Sequence, residues 1–347
     1  MRTYLDHAAT ALVLAEALEA MREGLVLSAN PSSPHAAGRA ARRALENARE
    51  RVARALGWSG EVIFTSGASE ALGIALGRSH ATRRMVSAVE HEAVTRQAPG
   101  ARFIPVDAGG LVAADAVQDA MDTLVAVQQV NNETGVMQPL GVLYDVVRAQ
   151  GGVLLADCAQ GAGKVALPPC DMAAISAHKF GGPPGIGALL VRDLGLIAPS
   201  GGQERGYRGG TENVAGAMAM ATALEMGHDW MDEALRLRAM LEDAVIDSGG
   251  QVIAAASPRI ATIGSYRIPG FSAAAQLIRL DAAGIAVSAG SACSSGSLKA
   301  SHVLTAMGID EKAAGEVIRV SIGRDTTEED IGRFLEAWRP LAQQAAA

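Results

Sequence analysis

The stretch Ser176-Ala-His-Lys-Phe-Gly-Gly-Pro-Pro-Gly-Ile-Gly187 lies between two short apolar runs, and it predicts a loop between two buried strands. Its lysine, Lys179, is one of four lysines in 347 residues, against 26 arginines. A lysine, unlike an arginine, can lose its proton and attack a carbonyl carbon. The sequence therefore suggests an amine that forms a Schiff base, and the alternative is a surface lysine before a loop.

On both sides of this loop, short apolar runs alternate with segments of helical periodicity. Helices are expected over 37–56, 69–78, 115–121 and 140–150. Buried strands are expected over 62–65, 85–88, 103–106, 124–130, 153–157, 173–176 and 188–191. This alternation predicts an α/β fold with a mainly parallel, seven-stranded sheet that is covered by helices. Ligands of such sheets bind at the carboxyl ends of the strands.

The remainder of the chain predicts a smaller α+β lobe. One long helix is expected from about 212 to 249, where Ala, Met and Leu dominate. Strands follow near 259–268, 285–288 and 317–322, and a last helix begins at about 327.

Charge and composition exclude several classes of protein. The formal charge of −7 is not offset by a basic stripe, so no nucleic-acid surface is expected. No apolar run approaches the length of a membrane span, and the first residues lack a secretory h-region. The three cysteines lack zinc-ligand spacing, so we expect no metal site. These features favour a soluble protein of the reducing cytoplasm.

Candidate cofactor ligands lie upstream of Lys179. Asp157 ends a predicted strand and could pair with a pyridinium nitrogen, although a helix cap or turn residue is the alternative. Gln160 could then reach the ring hydroxyl. Thr65-Ser-Gly-Ala-Ser-Glu70 opens a helix and offers N–H groups and hydroxyls to a phosphate, with an ordinary serine cap as the alternative. Ser176 and His178 could supply further donors.

A second lysine lies in a weaker motif. Gly161-Ala-Gly-Lys164 looks like a fragment of a nucleotide-binding loop. The full motif needs glycine at position 158 and serine or threonine at position 165, where this chain has Cys158 and Val165. The match therefore fails, and Lys164 receives no role.

Cys293 lies in Ser288-Ala-Gly-Ser-Ala-Cys-Ser-Ser-Gly-Ser297, a stretch of small and polar residues that predicts a loop. A cysteine on a polar loop is a candidate nucleophile, and an incidental thiol is the alternative. Cys158 and Cys170 are interpreted as structural.

Arg319 lies in the middle of the apolar run Val317-Ile-Arg-Val-Ser-Ile322. A buried arginine needs a partner, because an unpaired buried charge costs several kcal/mol. That partner is either the carboxylate of a substrate or an internal salt bridge.

Taken together, the motifs resemble those of the cysteine desulfurases, fold type I pyridoxal-phosphate enzymes of the class V aminotransferase group. The matching segments occur in family order from residue 4 to about 330. They are Tyr4-Leu-Asp-His-Ala-Ala-Thr10, Asn30-Pro-Ser-Ser33, Phe64-Thr-Ser-Gly-Ala-Ser-Glu70, Glu90-His-Glu92, Asn131-Asn-Glu-Thr-Gly135, Asp157-Cys-Ala-Gln160, Ser176-Ala-His-Lys179, Arg208-Gly-Gly-Thr-Glu-Asn213 and Gly290-Ser-Ala-Cys293. The loop around Cys293 resembles the long-loop subgroup, which includes the nitrogen-fixation and housekeeping iron–sulfur types.

The resemblance implies a role for each matching residue. Lys179 would hold pyridoxal phosphate as a Schiff base, His91 would stack on its ring and move protons, and Cys293 would attack the substrate sulfur. The other cofactor ligands would be Ala68, Ser69, Asp157, Gln160, Ser176, His178 and, from a second subunit of a homodimer, Thr211. The ligands of the substrate, L-cysteine, would be Asn30, Asn132 and Arg319.

The resemblance also implies an N-terminal arm over 1–15 that belongs to the small domain, a large cofactor-binding domain over 16–245 and a small domain over 246–347. The implied reaction converts L-cysteine to L-alanine and leaves a persulfide on Cys293 for an acceptor protein. That acceptor would serve iron–sulfur assembly or another thio-modification, but the chain lacks the longer C-terminal tail with which housekeeping members dock their scaffold. The alternatives are a selenocysteine lyase or sulfinate-releasing relative, and an inactive sulfur carrier.

Overall fold

A computed structural model describes residues 2–27, 29–289 and 301–346. Its strands are β1 (Thr3–Tyr4), β2 (Glu61–Thr65), β3 (Arg83–Ser87), β4 (Arg102–Ile104), β5 (Thr123–Gln128), β6 (Val153–Asp157), β7 (Met172–Ser176), β8 (Gly187–Val191), β9 (Gln251–Val252), β10 (Ile263–Arg267), β11 (Ile285–Ala286), β12 (Ser288–Ala289) and β13 (Val317–Ser321).

The α-helices of the described ranges are α1 (Ala15–Val26), α2 (Ala36–Ala55), α3 (Ala68–Arg78), α4 (Glu92–Thr95), α5 (Leu140–Ala149), α6 (Val214–Glu225), α7 (Met231–Asp247), α8 (Ala273–Ala282), α9 (His302–Ala306), α10 (Glu311–Ala314) and α11 (Glu328–Ala346). Among them, none is both long enough and apolar enough to cross a membrane.

The central sheet has seven strands in the order β2-β8-β7-β6-β5-β3-β4. The pairs from β7 to β4 are parallel, whereas β8 is antiparallel to both of its neighbours. The prediction of a mainly parallel, seven-stranded sheet is therefore confirmed. The parallel strands end at one edge, and β5, β6 and β7 bring their last residues side by side there.

Both faces of this sheet are covered, because its strands are apolar on both sides. Along β6, Leu154 and Ala156 face a core that also contains residues of α2, α5 and α6. Leu155 faces the opposite core, which contains residues of α3. Since side chains alternate along a strand, the continuous apolar run of β6 fits a strand buried on both faces.

A second, smaller sheet has the order β12-β13-β10-β9 and is antiparallel throughout. Its core includes Tyr266, Phe334 and Trp338, and α7 and α11 contribute to it. The N-terminal strand β1 pairs in parallel with β11, and Asp6 bridges to Ser321 of β13. The first residues of the chain thus lie against the smaller sheet. The division at residues 15 and 245 stays a prediction.

Two predicted helices are wrong. The segment 212–249 forms α6 and α7 instead of one helix, because Gly227 takes a φ of 71° just after α6 ends. The break lets α6 pack in the core of the large sheet and α7 in that of the small sheet. The segment 115–121 has only a 3₁₀ turn at Ala114–Ala116, since Asp119 takes a φ of 58°, which is incompatible with a helix.

Candidate active site

A cavity of about 600 Å³ opens at the edge where β5, β6 and β7 end. Ala8 and Ala9 of the N-terminal segment and Ser288 of β12 close part of its wall. The cavity brings together ten of the residues that the sequence singled out. They are Ala68, Ser69, His91, Asn132, Asp157, Gln160, Ser176, His178, Lys179 and Arg319.

Lys179 lies in the turn that follows β7, three residues after Ser176. Its ammonium donates to the carbonyl oxygens of Ala8 at 2.7 Å and Ala9 at 2.9 Å. Burial, helped by the positive charge of Arg319, lowers the pKa of Lys179 to about 8. About a tenth of this amine is therefore neutral at pH 7, far more than for an ordinary lysine, and a neutral amine can attack a carbonyl carbon.

Asp157 ends β6, and its carboxylate accepts a hydrogen bond from the backbone N–H of Ala159 at 2.9 Å. Burial raises the pKa of Asp157, while the charges of His91 and Lys179 oppose that rise. Such a carboxylate can stabilise a positive charge on a buried ring.

The Gln160 side chain lies next along the same wall. Its amide donates to the Ala8 carbonyl at 2.8 Å, but its buried oxygen Oε1 finds no partner in the described part of the chain. Because a buried polar atom is normally hydrogen-bonded, Oε1 indicates a place for a polar group of a ligand.

His91 is fixed by the backbone that follows it. It precedes α4, and its Nδ1 accepts from the N–H of Ala93 at 3.1 Å. Burial lowers the pKa of His91. The neutral ring must therefore carry its proton on Nε2, since Nδ1 already acts as an acceptor.

The start of α3 is suited to an anion. No described side chain caps this helix at Gly67, so the first backbone N–H groups remain available to a ligand. A Cβ at Gly187 would come within 2.6 Å of the Gly67 Cα, and this close approach brings β8 and the helix start together. Ser176 and His178 line the same cavity. Burial and the charge of Lys179 lower the pKa of His178 to about 4, which makes it a neutral ligand.

Arg319 forms the internal salt bridge, one of the two alternatives that the sequence left open, and its contact with a substrate carboxylate stays a prediction. Its Nη2 donates to Asp6 Oδ1 at 2.8 Å and its Nη1 to the Asn132 carbonyl at 2.9 Å. The other carboxylate oxygen of Asp6 accepts from the Ser288 hydroxyl at 2.9 Å. The Nε atom of Arg319 is buried and has no described partner. The internal salt bridge thus holds the guanidinium in place and leaves its Nε–H without a described acceptor.

Three predicted residues do not line the cavity among the residues described. Asn30 is exposed, and its side-chain oxygen accepts from the Ser32 N–H at 2.8 Å. Thr211 is exposed on the segment before α6. Cys293 lies outside the described residues. The roles of these three stay predictions.

Several residues at the cavity had no role in the sequence analysis. Glu133, Ser288 and His302 line it, and Asp6 contacts its Arg319. Asp6, Glu133 and Ser288 lie in stretches quoted above, so those stretches could have identified them, whereas His302 carried no signal of its own. The Glu133 carboxylate accepts from the Ser301 hydroxyl at 2.5 Å, and burial raises its pKa. His302 Nε2 lies 2.8 Å from the Glu90 carbonyl oxygen.

The residues present fit pyridoxal phosphate. Its aldehyde needs an amine with a lowered pKa, its ring nitrogen a carboxylate, and its phosphate a set of neutral donors. Lys179 provides the first, Asp157 the second, and the start of α3 the third, all within one cavity. The unpaired oxygen of Gln160 adds a polar contact for the ring.

Comparisons with known proteins point the same way. A family model described as "Aminotransferase class-V" matches residues 3–334. The "IscS-like cysteine desulfurase" of Mycobacterium tuberculosis is 36% identical, over 96% of this chain and 94% of its own. The "Cysteine desulfurase IscS" of Dictyoglomus turgidum is also 36% identical, over 98% and 94%. The X-ray structure of a NifS-like protein from Rickettsia africae superposes with a TM-score of 0.91 at 29% identity, covering 99% of this chain and all of that one.

Proposed function

The chain belongs to the aminotransferase class-V family, and from this premise we propose that it is a pyridoxal-phosphate-dependent cysteine desulfurase. The reaction converts L-cysteine to L-alanine and leaves the sulfur as a persulfide on Cys293. The observation that supports this most is the single cavity in which the low-pKa amine of Lys179, the strand-end Asp157 and an uncapped helix start come together.

Each of the proposed site residues would have its own part in holding the cofactor. Lys179 would be its covalent anchor, Asp157 would pair with the ring nitrogen and His91 would lie against the ring. The remaining contacts would come from Gln160 to the ring oxygen and from Ala68, Ser69, Ser176 and His178 to the phosphate. When bound, the cofactor supplies an electron sink for the carbon that loses its proton.

Two groups would move the protons: Lys179 as a base and His91 as an acid. The Lys179 amine, whose pKa is lowered, would be the base that takes the α-proton of the substrate. His91 carries a proton on Nε2 and can deliver it to a developing anion. The unpaired Nε of Arg319, beside Asn132, is the donor for the substrate carboxylate.

The sulfur step is assigned to Cys293. Its thiolate attacks the thiol sulfur of the substrate, a sulfur–sulfur bond forms, and the bond between that sulfur and the β-carbon breaks. The electron pair of the broken bond stays with the carbon, which becomes the methyl group of alanine after protonation. The persulfide is then available to an acceptor protein, in iron–sulfur assembly or another thio-modification in the cytoplasm.

A homodimer is part of the proposal. Thr211 is exposed and does not line the cavity of its own subunit, although Arg208, three residues before it, forms an ion pair of 2.9 Å with Glu70 of that subunit. We therefore assign Thr211 to the phosphate site of the other subunit. Light scattering that shows a cofactor-loaded monomer would contradict this part.

The decisive test is Cys293→Ser, with Cys170→Ser as a matched control, since Cys170 is a buried thiol outside the cavity lining described. Formation of alanine from L-cysteine should fall by about two orders of magnitude or more in Cys293→Ser, because the thiolate is the sulfur acceptor. The visible absorbance of the bound cofactor should remain in both variants.

The other outcomes separate the alternatives. Alanine formation that survives Cys293→Ser would point to a selenocysteine lyase or sulfinate-releasing enzyme, which acts without the loop thiol. A wild-type protein that shows no cofactor absorbance after incubation with pyridoxal phosphate would point to an inactive sulfur carrier.

A further inference from the structure

A second, small cavity shares Lys179 with the large one. Its volume of about 40 Å³ is close to the ~30 Å³ that one water molecule occupies in the liquid, so an amino acid cannot enter it. Its wall is partly apolar, with Phe180 and Trp230. Its ionisable lining residues are His7, Lys164, Lys179, Arg324 and Asp325. The proposed reaction uses only Lys179 among them.

Lys164 is the unusual member of this group. The residue is only 6% exposed, and within residues 2–27, 29–289 and 301–346 its ammonium has neither a hydrogen-bond acceptor nor an ion-pair partner. An unpaired buried charge is strongly unfavourable. Burial, with a contribution from Lys179, lowers the pKa of Lys164 to about 7. An arginine stays protonated and could not lose its charge on burial in this way. This gives a reason why one of the four lysines of the chain occupies this position.

The other cations of the cavity have their own acceptors. Lys179 donates to two carbonyl oxygens. Arg324 donates to the carbonyls of Met226 and Gly227 and lies 3.3 Å from Asp229. The positive charge of Lys164 is thus the one that lacks compensation among the described groups that line this cavity.

The remaining titratable groups near Lys164 do not supply that compensation. Burial and the charge of Lys164 lower the pKa of His7 to about 4, so its ring is neutral, and its buried Nδ1 has no described hydrogen-bond partner. His178 is neutral for a similar reason. Asp325 lines the cavity, but its side chain makes no ion pair with Lys164 and is exposed.

We propose that this cavity is a binding site for one small monovalent anion of chloride size, held by the Lys164 ammonium beside the His7 ring. A single-atom anion matches the volume, and its charge matches the one uncompensated cation. Binding of the anion favours the protonated form of Lys164, so affinity should be higher at pH 6 than at pH 9.

The test compares three cofactor-loaded proteins: wild type, Lys164→Met and Lys312→Met. Lys312 is exposed on α10 and serves as the matched control. Sodium chloride replaces sodium gluconate at constant ionic strength and pH 6. We expect a saturable rise in Tm of ~2 °C for wild type and Lys312→Met, and no rise for Lys164→Met. An equal rise in all three proteins would overturn the proposal.

Crystals of the wild type grown with sodium bromide give a second readout that does not depend on the stability of a variant. The anomalous signal of bromide should appear in the cavity next to Lys164. Its absence at pH 6 would overturn the proposal. A wild-type structure in which the Asp325 carboxylate has turned inward to pair with Lys164 would do the same, because the chain would then supply its own counter-ion. The anion site does not depend on the proposed reaction, so an experiment that disproves one of the two proposals leaves the other unaffected.

Discussion

Lys179 and Lys164 line the same small cavity, yet their surroundings differ. Burial lowers the pKa of both, to about 8 for Lys179 and about 7 for Lys164. Lys179 is oriented by two carbonyl oxygens and also faces Asp157 and His91 across the large cavity. Lys164 has no acceptor among the described residues. Burial alone therefore lowers the pKa of a lysine, and only the neighbouring groups make such an amine a reaction centre.

The largest expected effect is the difference between a substitution of Lys179 and a substitution of Lys164. Lys179→Ala should lose covalent cofactor attachment and lower the rate of alanine formation by about 10³-fold or more, because it removes both the anchor and the proton carrier. Lys164→Met should keep the attachment. Borohydride reduction followed by peptide mass spectrometry identifies the modified lysine. Reduced cofactor on Lys164 of the wild type would contradict the assignment.

A smaller effect concerns the pH at which the apoprotein captures the cofactor. Only the neutral amine attacks, so the rate of attachment should rise about tenfold per pH unit and level off above pH 8, the pKa of Lys179. An ordinary lysine would keep rising to about pH 10. Stopped-flow absorbance between pH 6 and pH 10 measures this. A profile still rising at pH 10 would show that burial does not lower the pKa of Lys179.

The smallest expected effect concerns the Asp6 carboxylate, which holds the Arg319 guanidinium at the large cavity. Asp6→Asn should raise the KM for L-cysteine about fivefold to tenfold with a smaller change in kcat, since Arg319 loses the carboxylate that holds its guanidinium. The attachment profile should also move to lower pH, because Asp6 raises the pKa of Lys179. Steady-state kinetics and the stopped-flow assay measure the two shifts.

Asp281→Asn is the matched control for this prediction, because Asp281 forms an exposed ion pair of 2.6 Å with Arg2. It should leave KM and the pH profile unchanged, as exposed pairs contribute little. Equal behaviour of Asp6→Asn and Asp281→Asn would show that the Asp6–Arg319 pair has no part in substrate binding.

The sequence predicted best where a residue's position depends on its own segment. Asp157 and Ser176 end apolar runs, and the carboxyl ends of parallel strands share one edge of the sheet. It failed where the pattern was uniform: the apolar stretch 212–249 gave no sign that α6 and α7 join different cores across Gly227. It also extended a helix over 115–121, because propensity does not reveal the positive φ of Asp119.

By itself, the sequence determined the seven-stranded α/β sheet and the set of polar residues at its edge, since both follow from local periodicity and short motifs. Only the tertiary structure decided which charges are paired. Asp6 and Arg319 are 313 residues apart in the sequence. They meet because Asp6, which follows β1, bridges to Ser321 of β13, the strand that also contains Arg319. Lys164 is unpaired because the described segments that fold over it bring an amine, an imidazole and a carbonyl-bound arginine, while the one carboxylate among them, Asp325, is exposed and makes no ion pair with it. Desolvation and pairing depend on segments distant in sequence, and no local pattern encodes them.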